Sequence, residues 1–183
     1  MANVLVPLAQ GCEELEAVTI IDLLRRAGIT VVSAGLDELP VHASRGVVLV
    51  PDMTLDQALT QDYDMVVLPG GLPGADHLAN DPRVIDLVRR MANQGKYTAA
   101  ICAAPRVLAR AGVLDNRAAT SFPGALDVGA INGIDYREQP VVVDGTVVTS
   151  RGPGTAMDFA LELIELLQGK AVRNKVDSAL QRP

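Results

Sequence analysis

Short runs of Val, Ile and Leu alternate along this chain with longer amphipathic segments, and this alternation restricts its possible folds more than any other feature. Asn3–Leu8, Thr30–Gly35 and Tyr97–Ile101 have the length and composition of buried strands. Glu14–Ala27 has the apolar spacing of a helix, and Gly28 follows it as a stop signal. Strands and helices that alternate at this spacing predict a mainly parallel sheet with helices on both faces. We therefore expect an α/β fold, organised as one domain over residues 1–183.

The other segments continue the alternation. Met65–Pro69 predicts a further buried strand, and Asp81 with Pro82 predicts the start of a helix that runs to about Asn93. A helix is predicted at Pro105–Ala111, and a small hairpin that pairs Val41–Ala43 with Val47–Val50. A second hairpin is predicted over Val141–Val148, with a type I′ turn at Asp144-Gly145. A capping box at Thr155–Asp158 predicts a last helix that ends near Leu167.

The composition excludes several classes of function. Asp and Glu number 22 against 16 Lys and Arg, and 3% of the residues are aromatic, so we expect no nucleic-acid-binding surface. Two cysteines and two histidines cannot build a disulfide framework or a four-cysteine zinc site, and we expect no metal. We find no signal-peptide pattern and no apolar run of the roughly 18 to 20 residues that span a bilayer, which predicts a cytoplasmic protein with reduced thiols.

Cys102 directly follows the Tyr97–Ile101 strand and precedes a helix that begins near Pro105. A sharp turn from strand to helix is the arrangement of a nucleophile elbow, and the helix N-terminus favours a thiolate. An unperturbed thiol with a pKa of ~8.5 is only about 3% ionised at pH 7, so we expect at least one further partner for the sulfur. The alternative is a small buried apolar side chain without chemistry.

Four motifs resemble those of the DJ-1/ThiJ/PfpI superfamily. They are Gly11-Cys12-Glu13-Glu14-Leu15-Glu16, Leu68-Pro69-Gly70-Gly71, Ala99-Ala100-Ile101-Cys102-Ala103 and Thr149-Ser150-Arg151-Gly152-Pro153-Gly154-Thr155. Their order and spacing match along essentially the whole chain, and the resemblance is greatest to the branch of the Parkinsonism-associated protein deglycase and the bacterial YajL-type proteins. The resemblance implies a flavodoxin-like three-layer α/β/α sandwich that forms a homodimer.

The resemblance also implies roles for individual residues. Cys102 would be the nucleophile and oxidation-sensitive thiol, Glu16 the carboxyl group beside its sulfur, and the backbone N–H groups of Gly71 and Ala103 an oxyanion-binding pair. An ionised Glu16 would raise the pKa of the thiol, so we expect Glu16 to be protonated and to donate a hydrogen bond. Many members carry His at the position of Phe122, and without it Glu16 is the acid–base candidate.

Several further residues have both a functional and a structural interpretation. Arg45 and Arg151 are candidates for an anion-attracting rim, although an exposed arginine is more often a solvated surface group. The resemblance implies that Arg26 approaches the site of the partner subunit, and the alternative is an exposed helical arginine. Cys12 is a candidate resolving thiol, or a small residue in a tight turn. For Glu14 the interpretation is structural, because carboxylates offset the positive end of a helix dipole.

These residues support two hypotheses about function. In the first, the protein is a cofactor-independent glyoxalase or protein deglycase, in which the Cys102 thiolate attacks an α-oxoaldehyde or an early glycation adduct and Glu16 shuttles protons. In the second, it is a redox sensor or holdase chaperone in which Cys102 oxidises to sulfinate. A cysteine peptidase or amidotransferase is less favoured because no suitably placed His is found, and the absence of dinucleotide and Walker A motifs predicts no nucleotide cofactor.

Overall fold

A computed structural model describes residues 2–182 and shows a mixed α/β architecture. In chain order its strands are β1 (Asn3–Leu8), β2 (Thr30–Gly35), β3 (Val41–His42), β4 (Val48–Leu49), β5 (Met53–Thr54), β6 (Met65–Leu68), β7 (Tyr97–Ile101), β8 (Ala118–Ala119), β9 (Asp135–Tyr136), β10 (Val141–Asp144) and β11 (Val147–Ser150). Its α-helices are α1 (Glu14–Arg26), α2 (Leu55–Ala58), α3 (Gly74–Asn80), α4 (Pro82–Asn93), α5 (Pro105–Arg110), α6 (Ala156–Gln168) and α7 (Lys170–Ala179).

The central sheet has seven strands in the order β10-β11-β7-β6-β1-β2-β5. Every neighbouring pair is parallel except β10 and β11, which form an antiparallel hairpin at one edge. The strands β3 and β4 form a separate small antiparallel sheet. Because β1, β6 and β7 are adjacent and parallel, the loops that follow them lie at the same edge of the sheet, where ligands of such folds bind.

Helices cover both faces of this sheet, as the sequence predicts. Along β1 the side chains of Val4, Val6 and Leu8 join a core with α1, α6 and α7, whereas Leu5 joins the opposite core with α2 to α5. This alternation is the two-residue period of a strand that is buried on both sides. The α/β/α sandwich predicted from the sequence is therefore confirmed.

Two local predictions at helix and hairpin ends are wrong. The loop of the β10–β11 hairpin is Gly145-Thr146, because Asp144 pairs with Val147. Among the described residues of this loop only Gly145 has a positive φ, whereas a type I′ turn needs one at both central positions. At the start of α6, the Thr155 hydroxyl bonds Gly152 and Ser150, so it does not cap the helix as predicted.

Candidate active site

Cys102 lies at the turn between β7 and α5 and has a φ of 63°, in the left-handed region that residues other than glycine rarely adopt. Two backbone hydrogen bonds hold it there. Its N–H donates to the Ser150 carbonyl at 3.0 Å, and its carbonyl accepts from the Phe122 N–H at 2.8 Å. The side chain is 9% exposed and faces a cleft. The predicted nucleophile elbow is thus present, with β11 and the loop after β8 as its supports.

Gly70 is the residue that allows Cys102 and Glu16 to lie side by side. A Cβ atom at Gly70 would be 2.6 Å from the Cys102 Cβ and 2.8 Å from the Glu16 Oε2. The Gly70 N–H donates to that same Oε2 at 2.8 Å. The Leu68–Gly71 motif therefore has a steric reason in this fold, since any side chain at position 70 would separate the thiol from the carboxyl group.

Glu16 is a buried carboxyl group whose two oxygens are bonded differently, and the Cys102 thiol is a further hydrogen-bond partner of the group. Its side chain is in the first turn of α1, is fully buried, and burial raises the pKa of the carboxyl group to about 7. Oε2 accepts the Gly70 N–H, whereas Oε1 has no hydrogen bond of ordinary geometry to any described residue. A proton on this group therefore belongs on Oε1, since Oε2 is already an acceptor.

The environment of Cys102 opposes a free thiolate while Glu16 is ionised. Burial, followed by repulsion from the Glu16 carboxylate, raises the pKa of the Cys102 thiol to about 12, although the N–H groups of Gly71 and Ala103 lower it. These two N–H groups point at the sulfur, as the family resemblance implies. They lower the pKa of the thiol by less than burial raises it. A proton transferred from the sulfur to Glu16 would remove the repulsion, so the protonation states of the two groups are coupled.

The cleft in front of Cys102 has a volume of about 610 Å³. Gly71, Cys102 and Ala103 form its reactive end, the charged side chains at its walls are Glu13, Arg45 and Arg106, and its apolar lining includes Leu72, Phe122 and Ala125. The Phe122 ring is half exposed, and a Cβ at Gly152 would lie 3.3 Å from it. The cleft thus has an apolar lining beside two arginines, Arg45, which is exposed, and Arg106, which is half-buried.

The structure does not place every predicted site residue in this cleft. Arg151 does not line it, and Arg26 pairs at 2.6 Å with Asp22 on the same helix. The homodimer and the approach of Arg26 to a partner subunit stay predictions. Cys12 is buried outside the cleft lining, and burial raises the pKa of its thiol to about 12, so its proposed redox role has no support in this geometry.

The first turn of α1 uses its three carboxyl groups in three different ways. Glu13 caps the helix by accepting the Glu16 N–H at 2.8 Å. The Glu14 carboxylate accepts hydrogen bonds from the backbone N–H of Arg45 at 2.8 Å and from the Ser44 hydroxyl at 3.1 Å. It thereby holds the loop between β3 and β4 at the cleft. The sequence predicts only a helix-dipole role for Glu14, because its tertiary partners are about 30 residues away.

Arg106 is a charged residue of the cleft for which the sequence predicts no role. It is in the first turn of α5, four residues after Cys102, and its guanidinium forms an ion pair with Asp76 of α3. A basic residue in the first turn of the helix after the elbow is the available signal, because that turn begins at the carboxyl end of β7, where ligands of such sheets bind.

The raised pKa of Glu16 predicts a pH-dependent stability. The unfolded carboxyl group ionises near its ordinary value of 4.5, whereas the folded one ionises near 7. Between pH 4.5 and about 7 the carboxyl group ionises in the unfolded state but stays protonated in the folded state. The contribution of Glu16 to the free energy of unfolding should therefore fall by roughly 3 kcal/mol as pH rises through this window, and stay constant at higher pH. In Glu16→Gln this fall should disappear. Urea unfolding between pH 4 and 8 measures it.

A matched substitution makes the stability experiment specific. Glu38→Gln removes an exposed carboxyl group outside the cleft and should keep the wild-type fall in the free energy of unfolding. If Glu16→Gln and wild type have the same pH dependence, then Glu16 is not the group with the raised pKa.

Neither histidine contributes to the cleft. His42 is in β3 and His77 is in α3, and neither lines the cavity of Cys102. Among residues 2–182 no group of three or more His, Cys, Asp or Glu could hold a metal ion. The same part of the chain contains no helix with the length and apolar character that a membrane span requires.

Known proteins resemble this chain in sequence and in overall fold. A sequence model of the DJ-1/PfpI family matches residues 2–166. The crystal structure of Drosophila melanogaster DJ-1beta superposes with a TM-score of 0.94 and 43% identity, over 100% of this chain and 98% of the other. The Caenorhabditis elegans glutathione-independent glyoxalase DJR-1.2 is 34% identical over 175 residues, which are 96% of this chain and 92% of that protein. Arabidopsis thaliana protein DJ-1 homolog B is 43% identical over 170 residues, and the match spans 92% of this chain but only 38% of that protein.

Proposed function

Because this chain belongs to the DJ-1/PfpI family, we propose that it is a cofactor-independent glyoxalase that converts an α-oxoaldehyde such as methylglyoxal into a hydroxy acid. The observation that carries the proposal is the meeting of the Cys102 thiol, the buried Glu16 carboxyl group and two backbone N–H groups at one end of an open cleft. The relative named as a glutathione-independent glyoxalase supports the same reaction class.

The first step is addition of the sulfur to the aldehyde carbon. Oε1 of the Glu16 carboxylate accepts the thiol proton as Sγ attacks, so no free thiolate has to exist beforehand. The carbonyl oxygen becomes an oxyanion, which the N–H groups of Gly71 and Ala103 stabilise, and Glu16 then returns the proton to it. A carboxyl group with a pKa of about 7 suits this exchange, because general acid–base catalysis is most efficient when the pKa of the catalytic group lies near the working pH.

The second stage moves hydrogen and releases the product. Glu16, again ionised, removes the proton from the carbon bonded to sulfur, and the neighbouring ketone carbon becomes protonated through an enediol. The resulting hydroxyacyl thioester of Cys102 is hydrolysed by water, which regenerates the thiol. The sum is one α-oxoaldehyde plus one water to one hydroxy acid, without a redox partner. An aminocarbinol formed by the same aldehyde on a protein amine would react by substitution instead: the C–S bond forms, the C–N bond breaks and the thiol proton passes to the leaving amine. The product is the same sulfur adduct that the first step gives, and the overall reaction is that of a deglycase.

The proposal is tested with the purified protein and methylglyoxal in the absence of glutathione. Lactate should form in a one-to-one ratio with the methylglyoxal consumed. A second reaction starts from N-acetyl-arginine preincubated with methylglyoxal. The adduct slowly releases free methylglyoxal, which gives lactate at a rate that the first reaction predicts. If the adduct forms lactate no faster than this rate, then the activity is that of a glyoxalase alone. Absence of lactate in both reactions would refute the proposed function.

A redox role of Cys102 is the second candidate, and a specific observation favours it. The two N–H groups and the carboxyl group that face Sγ are also the partners that a sulfinate would need. Intact-mass measurement after limited peroxide should therefore show the addition of two oxygen atoms in wild type and in Cys12→Ser, and none in Cys102→Ser. Random oxidation of both cysteines would count against it. A Cys–His peptidase is not proposed, since both histidines are outside the cleft.

A further inference from the structure

We propose that Arg106 is a positioning residue, which holds the two oxyanion-binding peptides and the adjacent loop in one fixed arrangement through the Asp76–Arg106 ion pair. This inference rests on the proposed function for one of its two measurements. The other measurement, the reactivity of the Cys102 thiol, is independent of any substrate.

The guanidinium of Arg106 contacts three segments at once. Its Nη1 pairs with the Asp76 carboxylate of α3. Its Nε donates to the carbonyl of Ala103 at 3.1 Å, and its Nη2 is 3.4 Å from the carbonyl of Ala125. The three partners are in α3, in the elbow and in the loop that follows β8. A single planar group therefore connects the three pieces of chain that surround the reactive end of the cleft.

Two of these contacts act beside the peptide that carries the Ala103 N–H, one at the next peptide and one at the adjacent loop. The Cys102 carbonyl, which belongs to that same peptide, accepts the Phe122 N–H at 2.8 Å. Phe122 in turn accepts the Ala125 N–H at 2.9 Å through its carbonyl, and Ala125 is the loop residue that Arg106 contacts. Arg106 thus holds the adjacent Ala103–Ala104 peptide at its carbonyl, and it holds the Cys102–Ala103 peptide through the loop.

The ion pair extends the same control to the second oxyanion-binding residue. The Gly71 carbonyl accepts the Ala75 N–H at 2.8 Å, and Asp76 is the next residue in α3. Asp76 is therefore fixed to the segment that presents the Gly71 N–H, while Arg106 is fixed to the segment that presents the Ala103 N–H. Their ion pair sets the separation of the two donors, on which stabilisation of an oxyanion depends.

Lysine distinguishes positioning from simple attraction by charge. Arg106→Lys keeps the positive charge beside the cleft and can still reach Asp76. A single ammonium cannot reproduce the planar fork that bonds a carboxylate and two carbonyls together. If Arg106 acts by its charge on the sulfur, then lysine should restore the wild-type properties. If it acts by positioning, then lysine should be nearly as impaired as Arg106→Gln.

The experiment compares Arg106→Gln and Arg106→Lys with Arg110→Gln. Arg110 is in the same helix and bonds Asn80 of α3 at 2.7 Å, but it does not line the cleft, so its substitution removes a comparable bridge away from the site. For each protein we would measure the rate of Cys102 alkylation by iodoacetamide from pH 6 to 10, and kcat and KM for methylglyoxal. A thermal unfolding curve verifies that each variant is folded.

Both Arg106 variants should lose about tenfold in kcat, with KM changed by less than about twofold, because loosening an oxyanion donor costs less than the roughly 100-fold or greater loss caused by its removal. Their alkylation curves should shift to higher pH, and those of Arg110→Gln should match wild type. Wild-type alkylation curves in folded Arg106 variants would overturn the inference. An inactive wild-type enzyme whose Arg106 variants still show the shifted curves would refute only the proposed function.

Discussion

Cys102→Ser should reduce lactate formation from methylglyoxal by at least about 1000-fold, since a hydroxyl group is far less acidic than a thiol and a weak nucleophile without a strong base. Glu16, with a pKa of about 7, is too weak a base for a serine hydroxyl, which is less acidic than the thiol. The substitution is nearly isosteric, so the elbow and its bonds to Ser150 and Phe122 should persist. The measurement is enzymatic detection of lactate during the first turnovers.

The control is Cys12→Ser, which changes the other cysteine of the chain. Because Cys12 is outside the cleft lining, its substitution should leave the rate of lactate formation within about twofold of wild type, provided that the variant is folded. Equal activity of Cys102→Ser and wild type would show that lactate does not arise by addition to this sulfur.

Gly70→Ala should lower the free energy of unfolding by about 3 kcal/mol or more and abolish the activity. The new Cβ would be 2.6 Å from the Cys102 Cβ, 2.8 Å from the Glu16 Oε2 and 2.8 Å from the Ile101 carbonyl oxygen. The Cys102 Cβ and the Ile101 carbonyl oxygen cannot move unless the elbow moves. The cost is therefore steric, and relief of it requires the thiol and the carboxyl group to separate. Urea unfolding at pH 7 gives the magnitude.

Gly154→Ala is the matched control for this prediction. A Cβ at Gly154 meets no heavy atom within 4 Å, and the residue does not have a positive φ, so alanine should change the free energy of unfolding by less than about 0.5 kcal/mol. If Gly70→Ala is as stable and as active as Gly154→Ala, then the close approach of Gly70 to Cys102 and Glu16 does not exist in solution.

The sequence predicts the central strands closely because their apolar runs are bounded by strong signals. Asn3–Leu8, Thr30–Gly35 and Tyr97–Ile101 have the predicted bounds in the structure. The helix α3 was missed, since it begins at a Pro73-Gly74 pair that is typical of turns and has no side-chain cap. The helix α7 is also not predicted, because Val176 is its one buried residue and gives little apolar periodicity.

The candidate site was predictable where it depends on strand order. The structure brings Cys102, Glu16, Gly71 and Ala103 together because β1, β6 and β7 are adjacent and their following loops meet. The charged rim was not predictable in the same way. Whether a guanidinium faces the cleft depends on the direction of its side chain, which separates Arg45 and Arg106 from Arg151. That direction follows from tertiary contacts such as the Asp76–Arg106 pair.

The three carboxyl groups at the start of α1 have a mechanical consequence. Glu13 fixes where the helix begins, Glu14 holds the loop that carries Arg45, and Glu16 places its carboxyl group beside the sulfur. All three are rigidly joined by one helical turn. A displacement of α1 by a fraction of an ångström would therefore change the basicity beside the nucleophile and the shape of the substrate entrance in a single movement. Turnover rate and substrate preference should consequently vary together among variants that shift this helix.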